Sequence, residues 1–244
     1  MPISKPTFDW SSLNRSGLIS LFMSVSDKIV GIELTPNQLH RILSNHIKKY
    51  LPIKVSKSNN SKVNFGYVYV GGAYYSDLDK EKQKCIEIAF NYNPFDEFIT
   101  VSKRRLSQMS AVFADTILHE IIHMRQYRRR KFKDLPDYDS TAKKIEKRNM
   151  QSYLGCSDEI DAYGFNIACE LYSRFKGNKK AIIKHLNVNQ KHIRGKEDCW
   201  KMYLKAFDHD HNHKIIQRVQ KKVVRYLPHA EIGKPYRNKE WISH

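Results

Sequence analysis

Residues 119–123 read H-E-I-I-H: two histidines four apart, with a glutamate directly after the first. On a helix such histidines share one face, one turn apart, so His119 and His123 can aim both imidazoles at a single Zn²⁺. Glu120 lies about 100° further round the helix. From there it can reach a zinc-activated water as general base without being a ligand. Ile117, Leu118, Ile121 and Ile122 surround these residues with apolar side chains. Burying two histidines and a carboxylate without partners is costly, so either a metal or a hydrogen-bonded structural arrangement must satisfy them.

A catalytic zinc needs a third protein ligand and an open fourth position. The best candidate is Glu159, in S-D-E-I-D-A-Y-G (157–164). Asp158 and Asp161 compete with it. Successive helical residues point about 100° apart, so only one of Asp158 and Glu159 suits the site. Asp161 better suits the task of holding a ligand histidine by its free N–H. The acidic cluster by itself would also serve to complement a helix N-terminus.

H-E-I-I-H followed by E-I-D-A-Y-G resembles the pattern H-E-x-x-H…E-x-x-A of the gluzincins, a group of zincin-type metallopeptidases. The resemblance spans roughly residues 62–175. It implies zinc ligands at His119, His123 and Glu159, with Glu120 as general base in peptide-bond hydrolysis. It also puts I-E-I-A-F-N-Y-N (86–93) where zincins keep the edge strand that pairs with substrate backbone. Many gluzincins have an aspartate four residues after the ligand glutamate, where this chain has Tyr163. Tyr163, Tyr153 and Tyr127 have the chemistry to stabilise an oxyanion.

The elements that must position these residues follow from periodicity. Residues 35–51 read as a helix, with Thr35 as cap, Pro36 in the first turn and Leu39, Ile42, Leu43 and Ile47 on one face. Residues 62–76 and 84–94 read as strands, the first interrupted at Gly71-Gly72 by a hairpin or a bulge. From 102 to 130 apolar residues recur every three or four positions, predicting a long helix. A loop is expected at 134–138 and a polar helix over 140–154. A stronger helix follows over 157–175, with Ser157 as cap, and further helices over 178–186, 196–207 and 213–226. The expected class is α+β and zincin-like: a small antiparallel or mixed sheet, an active-site helix, a ligand-bearing helix and further C-terminal helices. An N-terminal helical region (1–61), a catalytic core (62–176) and a basic C-terminal region (177–244) would form one compact unit.

The chain has 244 residues, 41% of them hydrophobic, enough for a sizeable core. With 43 Lys and Arg against 25 Asp and Glu, the formal net charge is +18. That sign favours nucleic acid or acidic protein partners. Six cations lie within R-Q-Y-R-R-R-K-F-K (125–133): Arg125, Arg128, Arg129, Arg130, Lys131 and Lys133. They can bind anions or acidic partners, or simply solvate a helix C-terminus. The tract D-H-D-H-N-H, with His209, His211 and His213, reads as a solvated turn with incidental metal affinity. The four cysteines lack metal-knuckle or disulfide-scaffold spacing and are expected as reduced thiols. No signal peptide or membrane span is legible, so a cytoplasmic protein is expected. Together these features predict a zinc metallopeptidase acting on protein or peptide substrates that are acidic or nucleic-acid-associated. The alternative is a non-proteolytic zincin-like protein that binds nucleic acid or an acidic partner.

Overall fold

The computed structural model describes residues 8–134, 147–188 and 198–235, and its architecture is mixed α+β. The chain divides into two compact units, Met1–Met124 and Arg125–His244, with the boundary inside the stretch 62–176. The first unit carries α1 (Arg15–Met23), β1 (Glu33–Leu34), α2 (Pro36–Tyr50), β2 (Lys54–Asn59), β3 (Val68–Tyr74), α3 (Ser76–Lys80), β4 (Ile86–Tyr92) and β5 (Ile99–Thr100). It also holds most of α4 (Lys103–Arg129).

The main sheet has three strands in the order β2-β4-β3. β4 runs parallel to β2, from Lys54↔Glu87 to Asn59↔Tyr92, and antiparallel to β3, from Val68↔Tyr92 to Tyr74↔Ile86. The expectation that residues 86–93 form an edge strand is therefore corrected: β4 is central and β3 is an edge. Gly71-Gly72 likewise makes neither hairpin nor bulge, because the register runs unbroken through Gly71↔Ala89 and Gly72↔Ile88. β1 and β5 form a separate antiparallel pair.

Strand periodicity places the core on one face of the sheet. Ile86, Ile88, Phe90 and Tyr92 are fully buried, while Glu87, Ala89 and Asn91 are half-buried on the other face. α2 is started by a capping box between Thr35 and Gln38, with Pro36 in the first turn, and buries Leu39, Leu43 and Ile47. Phe22 of α1 joins the two layers, its ring 4.7 Å from Phe113 of α4 and 6.2 Å from Phe90 of β4. Arg15 of α1 pairs bidentately with Asp115 of α4, at 2.6 and 3.0 Å.

The second unit holds the end of α4, then α5 (Lys147–Gly155), α6 (Ser157–Arg174), α7 (Lys179–Asn187), α8 (Cys199–Ala206) and α9 (Lys214–Ile232). The expected loop at 134–138 and the first half of the expected helix over 140–154 lie largely outside the described residues. α6 and α9 form its centre. Gly164 admits α9 so closely that a methyl group there would stand 2.8 Å from Cβ of Lys222. α6 is capped by Cys156 rather than Ser157, with no side-chain cap hydrogen bond. α9 continues past the expected residue 226 through Pro228, because Leu227 and Ala230 extend its buried face. It ends at Gly233, which takes the left-handed φ of 63°. None of the four cysteines forms a disulfide. Among the described residues no helix is long and apolar enough to cross a membrane.

Candidate metal centre

α4 carries His119, Glu120 and His123 as the spacing predicts. His119 and Glu120 are buried, and His123 is half-buried. The Nε2 atoms of the two histidines face each other at 3.0 Å. Two ring nitrogens that close can both reach one zinc, whose bonds to histidine are about 2.0–2.1 Å long. One turn before His119, the Arg15–Asp115 pair fixes the helix to α1. Burial pushes the Asp115 carboxyl above its ordinary range, and the hydrogen bond and charge of Arg15 oppose that rise.

Glu120 packs against the sheet at a glycine. A methyl group on Gly72 would collide with Cγ2 of Thr116 and stand 2.9 Å from Oε1 of Glu120. Only a residue without a side chain lets β3 approach α4 here. The sequence signal was present as Gly71-Gly72, but a pair of glycines announces a turn as readily as a close approach.

Glu159 is buried in the first turn of α6, beside a group of tyrosines. Tyr153 hydrogen-bonds both Tyr163 and Glu159. Burial pushes the Tyr153 hydroxyl far above its usual value, reinforced by the charges of Tyr163 and Glu159. Tyr163 packs edge-on between Tyr153, at 6.4 Å, and Tyr203, at 5.8 Å. Burial raises the Tyr203 hydroxyl in the same way, and that hydroxyl donates to the carbonyl of Leu154 at 3.2 Å. Two of the three tyrosines with the chemistry to stabilise an oxyanion thus belong to the cluster beside Glu159. The third, Tyr127, donates to Asp134 at 3.1 Å.

One ligand atom each from His119, His123 and Glu159 lies within 4.8 Å of the other two, and this group can bind a metal ion. Its donor set of two imidazoles and one carboxylate fits zinc. In comparisons with known proteins the chain matches no family model, no curated protein and no solved structure. The chemistry of the site therefore rests on the residues themselves.

The neighbouring carboxylates have other partners. Asp158 forms a fork with Arg130, at 2.9 and 2.7 Å. Asp161 accepts from Lys222 at 2.5 Å, Tyr226 at 3.0 Å and Gln126 at 3.3 Å, so the structure gives its oxygens to these groups and not to a histidine. Gln126, which sequence reasoning passed over, also donates to the carbonyl of Asp158 at 3.1 Å. Its only signal was its position three residues after His123, on the same helical face.

The basic run after His123 is divided in use. Arg130 stacks over Tyr127 at 4.7 Å besides pairing with Asp158. Arg129 and Arg130 line a cleft of the second unit, while Lys131 and Lys133 are exposed. His209, His211 and His213 form no metal-binding group among the described residues. His213 instead caps α9, its Nδ1 accepting from the backbone N–H of Ile215 at 3.2 Å, and packs 4.6 Å from Phe207.

Proposed function

We propose that the protein is a zinc-dependent metallopeptidase with a zincin-like core. The observation that carries this reading is the convergence of His119, His123 and Glu159 while Glu120, also buried, stands beside the histidines on α4 without joining the group. A purely structural zinc site has four protein ligands and no use for a neighbouring base. Zinc would supply a polarised carbonyl and a water acidic enough to attack at neutral pH.

The chain's own groups account for the rest. Glu120 accepts the proton of the attacking water at its carboxylate and returns it to the leaving amine. Its packing against Gly72 and Thr116 leaves the side chain little freedom, which favours one orientation for proton transfer. β3 is an edge strand of the sheet. Its backbone groups without a strand partner among the described residues can hold an extended substrate by strand addition. The Tyr153 hydroxyl holds Glu159 in its ligating orientation. The net charge of +18 favours substrates that are acidic or associated with polyanions.

The test is metal analysis joined to cleavage. Protein purified without a histidine tag carries one zinc per chain and cleaves members of a peptide library. His123→Ala loses the zinc, and Glu120→Gln keeps it but loses cleavage. A zinc-free, folded, wild-type chain would overturn the proposal.

A further inference from the structure

The second unit contains a cleft of about 650 Å³ between the end of α4, the start of α6 and α9. Its walls carry six cations: Arg129 and Arg130 from α4, and Arg218, Lys221, Lys222 and Arg225 from α9. On α9 the spacing of three, one and three residues places all four on one helical face. The close approach at Gly164 brings that face against α6.

Charge bookkeeping separates this cleft from an ordinary solvated surface. Among the described residues only two carboxylates line it, Asp158 and Asp161, and both are already engaged by Arg130 and Lys222. Arg218 donates to the hydroxyl of Ser157 at 2.9 Å. Arg129, Lys221 and Arg225 have no partner among the described residues. Six cations against two anions leave four positive charges uncompensated inside one concavity. Like charges held together repel, and such an arrangement is stable mainly when an anion completes it. Among the described residues no side chain caps the N-terminus of α6, whose dipole adds to the same field.

We infer that this cleft binds a ligand bearing several phosphate groups. Its volume is that of a small-molecule site, larger than a single anion needs. Four of its six cations are arginines, whose planar forks match phosphate oxygens and hold them in pairs. A phosphate offers more charge and more accepting oxygens than a carboxylate, which suits four uncompensated charges in one cavity. No aromatic side chain lines the cleft among the described residues, so recognition runs through phosphate and not through base stacking. Such phosphates can come from a free oligophosphate or from a nucleic-acid backbone. The inference does not depend on peptide hydrolysis.

The test uses the full chain and the variant Arg129→Gln/Lys221→Gln/Arg225→Gln. It removes only cations without partners and so breaks no ion pair of the fold. Inorganic tripolyphosphate, titrated calorimetrically, binds the wild type one to one. The variant weakens it at least about tenfold while zinc content stays unchanged and thermal stability does not fall. A thymidine oligonucleotide separates the sources. If it competes with tripolyphosphate and is weakened by the same variant, the backbone is the natural donor. If it does not bind, or binds without regard to the variant, the ligand is a free oligophosphate. Unchanged tripolyphosphate affinity in the variant, or tighter binding of an oligoglutamate of equal charge, overturns the inference. Zinc and cleavage measured on the same samples report separately on the hydrolytic reading.

Discussion

Gly72 and Glu120 are matched across the interface of strand and helix: the position a methyl group would take on Gly72 lies 2.9 Å from Oε1 of Glu120. A glycine in a strand and a buried acid in a helix are thereby one unit. Gly72→Ala should push Glu120 out of line. Overpacking of this kind costs about 1–3 kcal/mol of stability. Because misplacement by about 1 Å can cost a hundredfold in rate, kcat should fall by one to two orders of magnitude with zinc retained. Adding Thr116→Ser, which removes the methyl group that the new side chain meets, should restore part of both losses. Equal kcat in Gly72→Ala and wild type would show that Glu120 needs no such fit.

Arg15→Ala should destabilise the first unit by about 3 kcal/mol, since it strands the Asp115 carboxylate among buried neighbours. Urea unfolding measures this. The double replacement Arg15→Met/Asp115→Leu should recover most of the loss, because the buried charge leaves with its partner. A small effect of Arg15→Ala alone would mean that Asp115 finds solvent or another cation.

Glu87 gives the sheet a pH dependence. Burial alone would raise its carboxyl, but hydrogen bonds from Ser56, Lys54 and Tyr75, with the charge of Lys54, hold it below its ordinary value. An acid whose folded pKa is depressed adds stability above its unfolded value of about 4.3. That contribution is lost as the pH falls through the lower folded value. Glu87→Gln should therefore cost up to about 1 kcal/mol at pH 7, the modest size reflecting the solvent exposure of Lys54. The difference from wild type should vanish once the pH is below both values. A deficit that persists there would trace to packing instead of charge.

Tyr153→Phe removes the hydroxyl that bonds Glu159 and leaves the ring in place. Partners of this sort typically contribute 10–100-fold to metal affinity. Competition with a chelator should show zinc held about tenfold more weakly, with unchanged helicity. Undiminished affinity would assign Tyr153 to packing alone.

How far these features could be read from sequence differs from residue to residue. His119, Glu120 and His123 were legible because ligand spacing and helical period coincide in one segment, and Glu159 because a carboxylate opens the next strong helix. Asp158 and Asp161 could not be told apart from ligands by type. Their roles depend on Arg130, Lys222 and Tyr226, which a linear pattern does not connect to them. β2 was invisible because K-V-S-K-S-N has a single buried residue, Val55, and becomes a strand only through its ladder with β4. The alternation of β4 declared a buried face but was silent on whether one or both of its edges were paired. The same limit applies to the basic cleft. The run at 125–133 and the helix over 213–226 were each visible, but their meeting across α6 is a tertiary fact.

The strand order β2-β4-β3 also constrains the order in which the chain can assemble. During synthesis β2 emerges before either strand that completes the sheet, and its ladder partner β4 arrives only after β3 and α3 have been made. Until then the backbone groups of Lys54–Asn59 must be satisfied by water or by a chaperone. The polar composition that hid β2 from a sequence reader is suited to that wait: a strand rich in lysine and serine can remain solvated and resists pairing with the wrong edge.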